Sequence, residues 1–178
     1  MTTAPGECPA ELRIILIILS IFKGLGCLIV AWALLGAAPA TAQLQPADDL
    51  ARITAEARAR RVPVLVAFMQ KSCPYCTVAR RDYLIPLQSD PQWQGRVLIR
   101  EIEVDRGMRM RDFSGKATTH RAFARSLGVR RVPTLIIFDA DGKPAAPPIT
   151  GLLSADFYGL YIEQAVEAGL VKMRSPGS

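Results

Sequence analysis

The stretch Val62-Pro63-Val64-Leu65-Val66-Ala67-Phe68-Met69-Gln70-Lys71-Ser72-Cys73-Pro74-Tyr75-Cys76 decides how the rest of the chain is read. Its apolar run predicts a buried strand from Pro63 through Met69. Lys71 and Ser72 form the turn that follows. Two cysteines with two residues between them can close a small disulfide ring, and they read as a redox pair when a strand delivers them to the start of a helix. Pro74 suits the first position of that helix, where no backbone N–H is needed. Downstream, Gly128-Val129-Arg130-Arg131-Val132-Pro133-Thr134 opens a second apolar run. The arrangement points to thiol–disulfide exchange. An inert disulfide and half of a metal site are the competing readings. A four-ligand zinc site needs two more ligands, and beyond the cysteine pair this part of the chain offers only His120 as a soft partner.

The chain has 178 residues, which suggests one domain. Half its residues are hydrophobic and 21% are charged, which places it with globular rather than disordered chains. The formal net charge is +6. Its arginines are spread along the chain, as on a solvated surface. Nucleic-acid binding would need a concentrated basic stripe or a recognised module, and neither occurs.

Residues 12–38 are almost wholly apolar, broken by Arg13 and Lys23. Two readings compete for residues 1–42. In the first they are a signal peptide, with Ala40-Thr41-Ala42 as the cleavage site before Gln43. In the second, 12–38 stays as a transmembrane anchor, with Lys23 costly near its middle. The small-residue site favours cleavage. Both readings place the cysteine-bearing domain outside the cytoplasm, with the periplasm as the expected compartment. Cys8 and Cys27 are then leader thiols. Cys73 and Cys76 can pair only with each other or with another molecule, and an oxidising compartment permits a disulfide.

Residues 43–47 read as a linker, 48–170 as the folded domain and 171–178 as a tail. Asp48 can cap a helix to about Arg60, with Leu50, Ile53 and Ala57 on one side. The helix after the cysteines should run from Pro74 to about Leu84, where Pro86 bends or ends it. Residues 90–95 read as loop. Val97 to Val104 alternates as a strand. Residues 106–116 are polar, basic and rich in breakers, and read as an inserted loop. Thr118 or Thr119 can cap a helix with Phe123 and Leu127 inward and Gly128 as its stop. A strand at 134–138, a turn at Asp141-Gly142, a short strand at 148–150 and a helix from Ser154 to about Ala168 complete the order. His120 reads as a surface helix residue, and Trp93 and Phe113 as loop packing.

On these residues the chain resembles the thioredoxin superfamily. The likeness covers 48–168 and rests on the strand leading to Cys73-Pro74-Tyr75-Cys76, the Gly128–Thr134 segment and the Asp-Gly turn. Within that superfamily it is similar to exported thioredoxin-like proteins of bacteria, including those associated with sulfur oxidation. The resemblance implies an α/β thioredoxin fold, with a central mixed β-sheet flanked by helices and an inserted loop before the helix preceding a cis-proline. Pro133 is that proline, packed beside the cysteine pair. The chain departs from cytosolic thioredoxins in three places. Ser72 stands for a tryptophan, Pro74-Tyr75 for Gly-Pro, and Ala67 for a buried aspartate on the strand before the site. Glu101 falls where those proteins carry a lysine. It either replaces the missing proton acceptor, acting on Cys76, or simply faces solvent near a strand end.

The expected mechanism follows. A thiolate attacks a disulfide. Cys73 sits where free N–H groups and the helix dipole favour negative charge and is the nucleophile. Cys76, one turn in and more buried, resolves the mixed disulfide. Lys71, Arg80 and Arg130 can assist if they approach. Pro74, Tyr75, Val132 and Pro133 are expected to contact substrate. No cofactor is implied beyond the Cys73–Cys76 pair. No dinucleotide fingerprint occurs, so electrons would come from a membrane thiol–disulfide reductase. Protein disulfides are the expected substrates and a monomer the expected state. A Dsb-like thiol oxidase or isomerase, or a non-enzymatic binding module on the same scaffold, are the alternatives.

Overall fold

The expected first strand, β1 (Val64–Met69), is buried at every position, so both its faces are covered. That is the environment a continuous Val/Leu/Phe run requires. In the computed structural model, which describes residues 43–175 apart from Leu153, β1 pairs in parallel with β2 (Leu98–Glu103) and antiparallel with β5 (Thr134–Phe138). β5 in turn pairs antiparallel with β6 (Ile149–Thr150), giving the order β2-β1-β5-β6. The sheet is mixed and helices flank it, as expected. Among the described residues no helix is long and apolar enough to cross a membrane. The signal-or-anchor segment lies outside the described residues.

Helix α1 (Leu50–Arg60) buries Leu50, Ile53 and Ala57. Its cap is Asp49 rather than Asp48: the Asp49 carboxylate accepts the Arg52 N–H at 2.9 Å. The stretch 43–47, read as a linker, is paired to the sheet. Gln45 O accepts the Glu101 N–H at 2.8 Å, and Ala47 N–H donates to Glu101 O at 2.9 Å. Leu44 and Ala47 are buried with the core. The paired part, 45–47, is too short for alternation to show itself, so its pairing left no trace in the pattern.

The cysteine-bearing helix runs further than Leu84. It consists of α2 (Pro74–Val78), a π-helical segment (Ala79–Leu84) and α3 (Ile85–Ser89). The Ile85 N–H bonds Arg80 O, which is the wider π register. This shift places Pro86 at the start of the next α segment. A missing donor costs least there, so the proline does not end the helix. Residues 90–95, read as loop, contain the single turn α4 (Pro91–Gln94), capped by Asp90.

The inserted loop is a hairpin: β3 (Arg109–Arg111) and β4 (Ala117–Thr119) pair antiparallel. The Asp112 carboxylate closes its turn by accepting the Ser114 and Lys116 N–H groups. Phe113 packs its ring against Phe123 and Phe138, at 5.7 and 4.8 Å between centroids. Helix α5 (His120–Ser126) is capped by the Thr119 hydroxyl, which accepts the Ala122 N–H. Phe123 points inward as expected, but Leu127 is 38% exposed. Leu127 caps the helix end, where the chain turns away through Gly128 at φ +70°. The last helix, α6 (Ala155–Arg174), outruns the expected end at Ala168 and takes in part of the supposed tail. Ser154 stands at its N-cap without a side-chain cap bond. Tyr158, Ile162, Val166 and Leu170 form its buried stripe.

Candidate active site

Cys73 is the N-cap of α2, in extended conformation at φ −96°, ψ 115°. Its sulfur accepts the Cys76 N–H at 3.1 Å and lies 4.0 Å from the Val132 carbonyl oxygen. Strand β1 and its turn deliver Cys73 to this point, and Pro74 occupies the helix start where no donor is required. Cys73 is half-buried, Cys76 is fully buried, and both are free thiols. Burial, followed by the Cys73 side-chain hydrogen bond, pushes the Cys76 thiol up to about 12. The two sulfurs therefore differ in kind. One is reachable and held by a backbone donor; the other is kept protonated behind it.

The expected substrate-contact residues come together at this point. The Val132–Pro133 peptide bond is cis. Pro133 is buried, Val132 half-buried, and the Gly151 N–H donates to Pro133 O at 2.7 Å. The loop before α6 thus borders the same mouth. Pro74 is exposed and Tyr75 is 63% exposed. Both lie between the two cysteines in sequence, at the open end of the site.

Glu101 does not face solvent: it is only 8% exposed. It sits on β2 directly opposite Ala67, where the small side chain leaves room. Arg80 grips it with two N–H groups, Nε to Oε2 at 3.1 Å and Nη2 to Oε1. That fork holds the guanidinium charged, its hydrogen bond to Glu101 being the main cause. Arg80 follows Cys76 by four residues, so the two share a helix face, and the Arg80 charge acts on Cys76 in favour of its thiolate. Lys71, Arg80, Glu101, Glu103, Arg106 and His120 are among the residues lining a cavity of about 540 Å³. Arg130 lies at the surface next to the Val132 side of the mouth.

His120 is buried rather than a surface residue, at 1% exposure. Its Nδ1 accepts the Glu103 N–H at 3.0 Å, and burial pulls its pKa below the usual imidazole value. It ties α5 to β2. Tyr158 escaped the sequence reading. It is buried against Tyr83, ring centroids 5.0 Å apart, and its hydroxyl is held protonated by burial and then by the Cys76 charge. The only signal for it was its place on the inward stripe of α6. Among the described residues no group of three or more His, Cys, Asp or Glu side chains could hold a metal ion.

A family profile for the thioredoxin-like domain matches residues 50–165, and the chain belongs to that family. The family's chemistry is thiol–disulfide exchange by its own cysteine pair, without an added cofactor. Similar solved structures include thioredoxin O2 from Arabidopsis thaliana in the oxidised state. That pair shares 18% identity over 71% of this chain and 97% of the other, with a TM-score of 0.48. Mitochondrial thioredoxin 3 from Saccharomyces cerevisiae, also oxidised, shares 16% identity over 70% and 93%, with a TM-score of 0.47. A point-mutant thioredoxin from Halobacterium salinarum shares 23% identity over 68% and 94%, with a TM-score of 0.42. No curated protein sequence matches the chain.

Proposed function

We propose that this chain is an exported disulfide reductase that keeps proteins of the periplasm reduced. One observation carries the reading: the reachable Cys73 sulfur sits 4.0 Å from Val132 O, with Cys76 buried one turn behind it. In the first step the Cys73 thiolate attacks one sulfur of a protein disulfide. A new S–S bond forms, the substrate S–S bond breaks, and one substrate thiolate leaves. In the second step Cys76 loses its proton and attacks the Cys73 sulfur. The intramolecular disulfide closes and the second substrate thiolate leaves. Two electrons pass to the substrate, and two protons accompany them.

The Glu101–Arg80 pair assists the second step in this reading. Arg80 favours the Cys76 thiolate, and Glu101, held by Arg80, offers a carboxylate to take its proton. A membrane thiol–disulfide reductase regenerates the dithiol. The apolar segment 12–38 supports export, either as a leader removed before Gln43 or as a retained anchor. The mass of the mature protein decides between those two.

Insulin reduction tests the reading. Wild type should turn over; Cys73→Ser should not; Cys76→Ser should accumulate mixed disulfides with its substrates. Turnover that survives Cys73→Ser refutes it. The exposed cations near Cys73 favour a second reading, in which a stabilised thiolate makes the protein an oxidant. A redox titration separates the two. A potential near about −270 mV marks a reductase and one near about −120 mV an oxidase.

A further inference from the structure

Three segments meet at the mouth of the site: 70–77 with the cysteines, 128–134 with Val132 and Pro133, and 150–152, tied to Pro133 by the Gly151 N–H. Between them they carry Lys71, Arg130 and Arg131 and not one carboxylate. All three cations are exposed, and none of their side chains has an ion-pair or hydrogen-bond partner among the described residues. Many other arginines are used differently. Arg58, Arg60, Arg80, Arg81, Arg96 and Arg106 each meet an Asp or Glu side chain. Exposed positive charge thus lies on two of the segments around Cys73: Lys71 just ahead of it, beside the cavity that Glu101 and Glu103 also line, and Arg130 and Arg131 on the segment that carries Val132. Exposed like charges held near one another repel and destabilise slightly, so this array has no stabilising role to account for it. A groove of one sign raises the local concentration of partners of the other sign and speeds their encounter.

We propose that this mouth selects disulfides flanked by acidic residues, with Lys71, Arg130 and Arg131 as the recognition charges and Tyr75 as the exposed contact between them. The selection rests on the exchange reaction described above and acts before it. The partner's carboxylates meet the three cations, its disulfide comes to the Cys73 sulfur, and the electron and proton balance of the exchange is unchanged.

The test uses the full chain, in excess and with Cys73 and Cys76 reduced beforehand, and three disulfide-linked peptide dimers of one length, with the cysteine flanked by glutamates, by glutamines or by lysines. Reduction of each is followed by release of free peptide thiol. At low salt the acidic peptide should react roughly tenfold or more faster than the basic one, with the neutral peptide between them. The gap should close as salt is raised to about 1 M, where charges are screened within about 3 Å. Equal rates for the three peptides would overturn the charge selection and leave the exchange reaction standing. Failure of all three to react would overturn both. Combined Lys71→Gln, Arg130→Gln and Arg131→Gln should bring the acidic-to-basic ratio close to one, whereas Arg130→Lys with Arg131→Lys should preserve it. A wild-type ratio in the triple glutamine variant would remove these residues from recognition.

Discussion

Cys73 and Cys76 are two residues of one type that the fold makes chemically unequal. Burial raises the Cys76 pKa from 9.0 to about 12. Above pH 9 an unfolded chain releases this proton while the folded chain keeps it, so the folded state binds more protons and loses stability as pH rises. The loss should accumulate between about pH 9 and about pH 12 and level off beyond. Urea unfolding midpoints at successive pH values should therefore fall more steeply for wild type than for Cys76→Ala over that range. Parallel curves would show that Cys76 does not ionise late. Arg80 and Glu101 make a second residue-scale case. Arg80→Ala leaves a nearly buried carboxylate without its fork, which should cost about 3 kcal/mol in urea unfolding. Glu101→Gln keeps an acceptor for Arg80 and should cost distinctly less. Equal costs would mean that the pair stabilises by packing rather than by charge. The sequence marked Glu101 as a position of interest but left its partner open. Arg80 lies 21 residues away, and only the parallel register of β1 and β2 brings the two together.

At the scale of elements, α6 shows how close the helices lie to the sheet. A Cβ on Gly169 would stand 2.8 Å from both Ile137 Cγ2 and Pro63 Cβ. Glycine to alanine in a helix normally gains about 1 kcal/mol, whereas overpacking against a branched side chain and a proline ring costs about 1–3 kcal/mol. The clash wins, so Gly169→Ala should lower the melting temperature. Gly159, in the same helix, meets Tyr83 only at 3.8 Å, an ordinary contact. Gly159→Ala should raise the melting temperature, and a drop at both positions would refute the distinction. The strands β1 and β5 and the helix after the cysteines were legible because long apolar runs and a proline-opened helix are strong local signals. The β3–β4 hairpin was not. Arg109-Met110-Arg111 has a single inward residue, and its pairing comes from Asp112 closing the turn and from Phe113 reaching Phe123. The helix end was misjudged for a related reason. Pro86 breaks an α-helical ladder, but a π segment had already shifted that ladder ahead of it. The burial of His120 was equally hidden. A lone histidine after a polar stretch carries no sign that its Nδ1 will meet a strand N–H.

For the whole molecule, residues 43–47 matter beyond their number. Leu44 is 6% exposed, and the segment bonds both backbone groups of Glu101. Leu44→Ala should cost about 2 kcal/mol, the low end for a core leucine, because the site lies at the sheet's margin. An unchanged urea midpoint would show that the segment merely rests there. On the opposite side β6 is only two residues long and follows directly on Pro147 and Pro148. Open strand edges are templates for foreign strands, and short or proline-bordered ones are poor templates. Both flanks of this sheet are thus restricted in backbone pairing, one by the upstream segment at Glu101 and the other by brevity and proline. Thiol–disulfide exchange brings another chain to the Cys73 sulfur at the surface of this fold. With little open edge on either side, the sheet offers such a chain a poor template for strand addition.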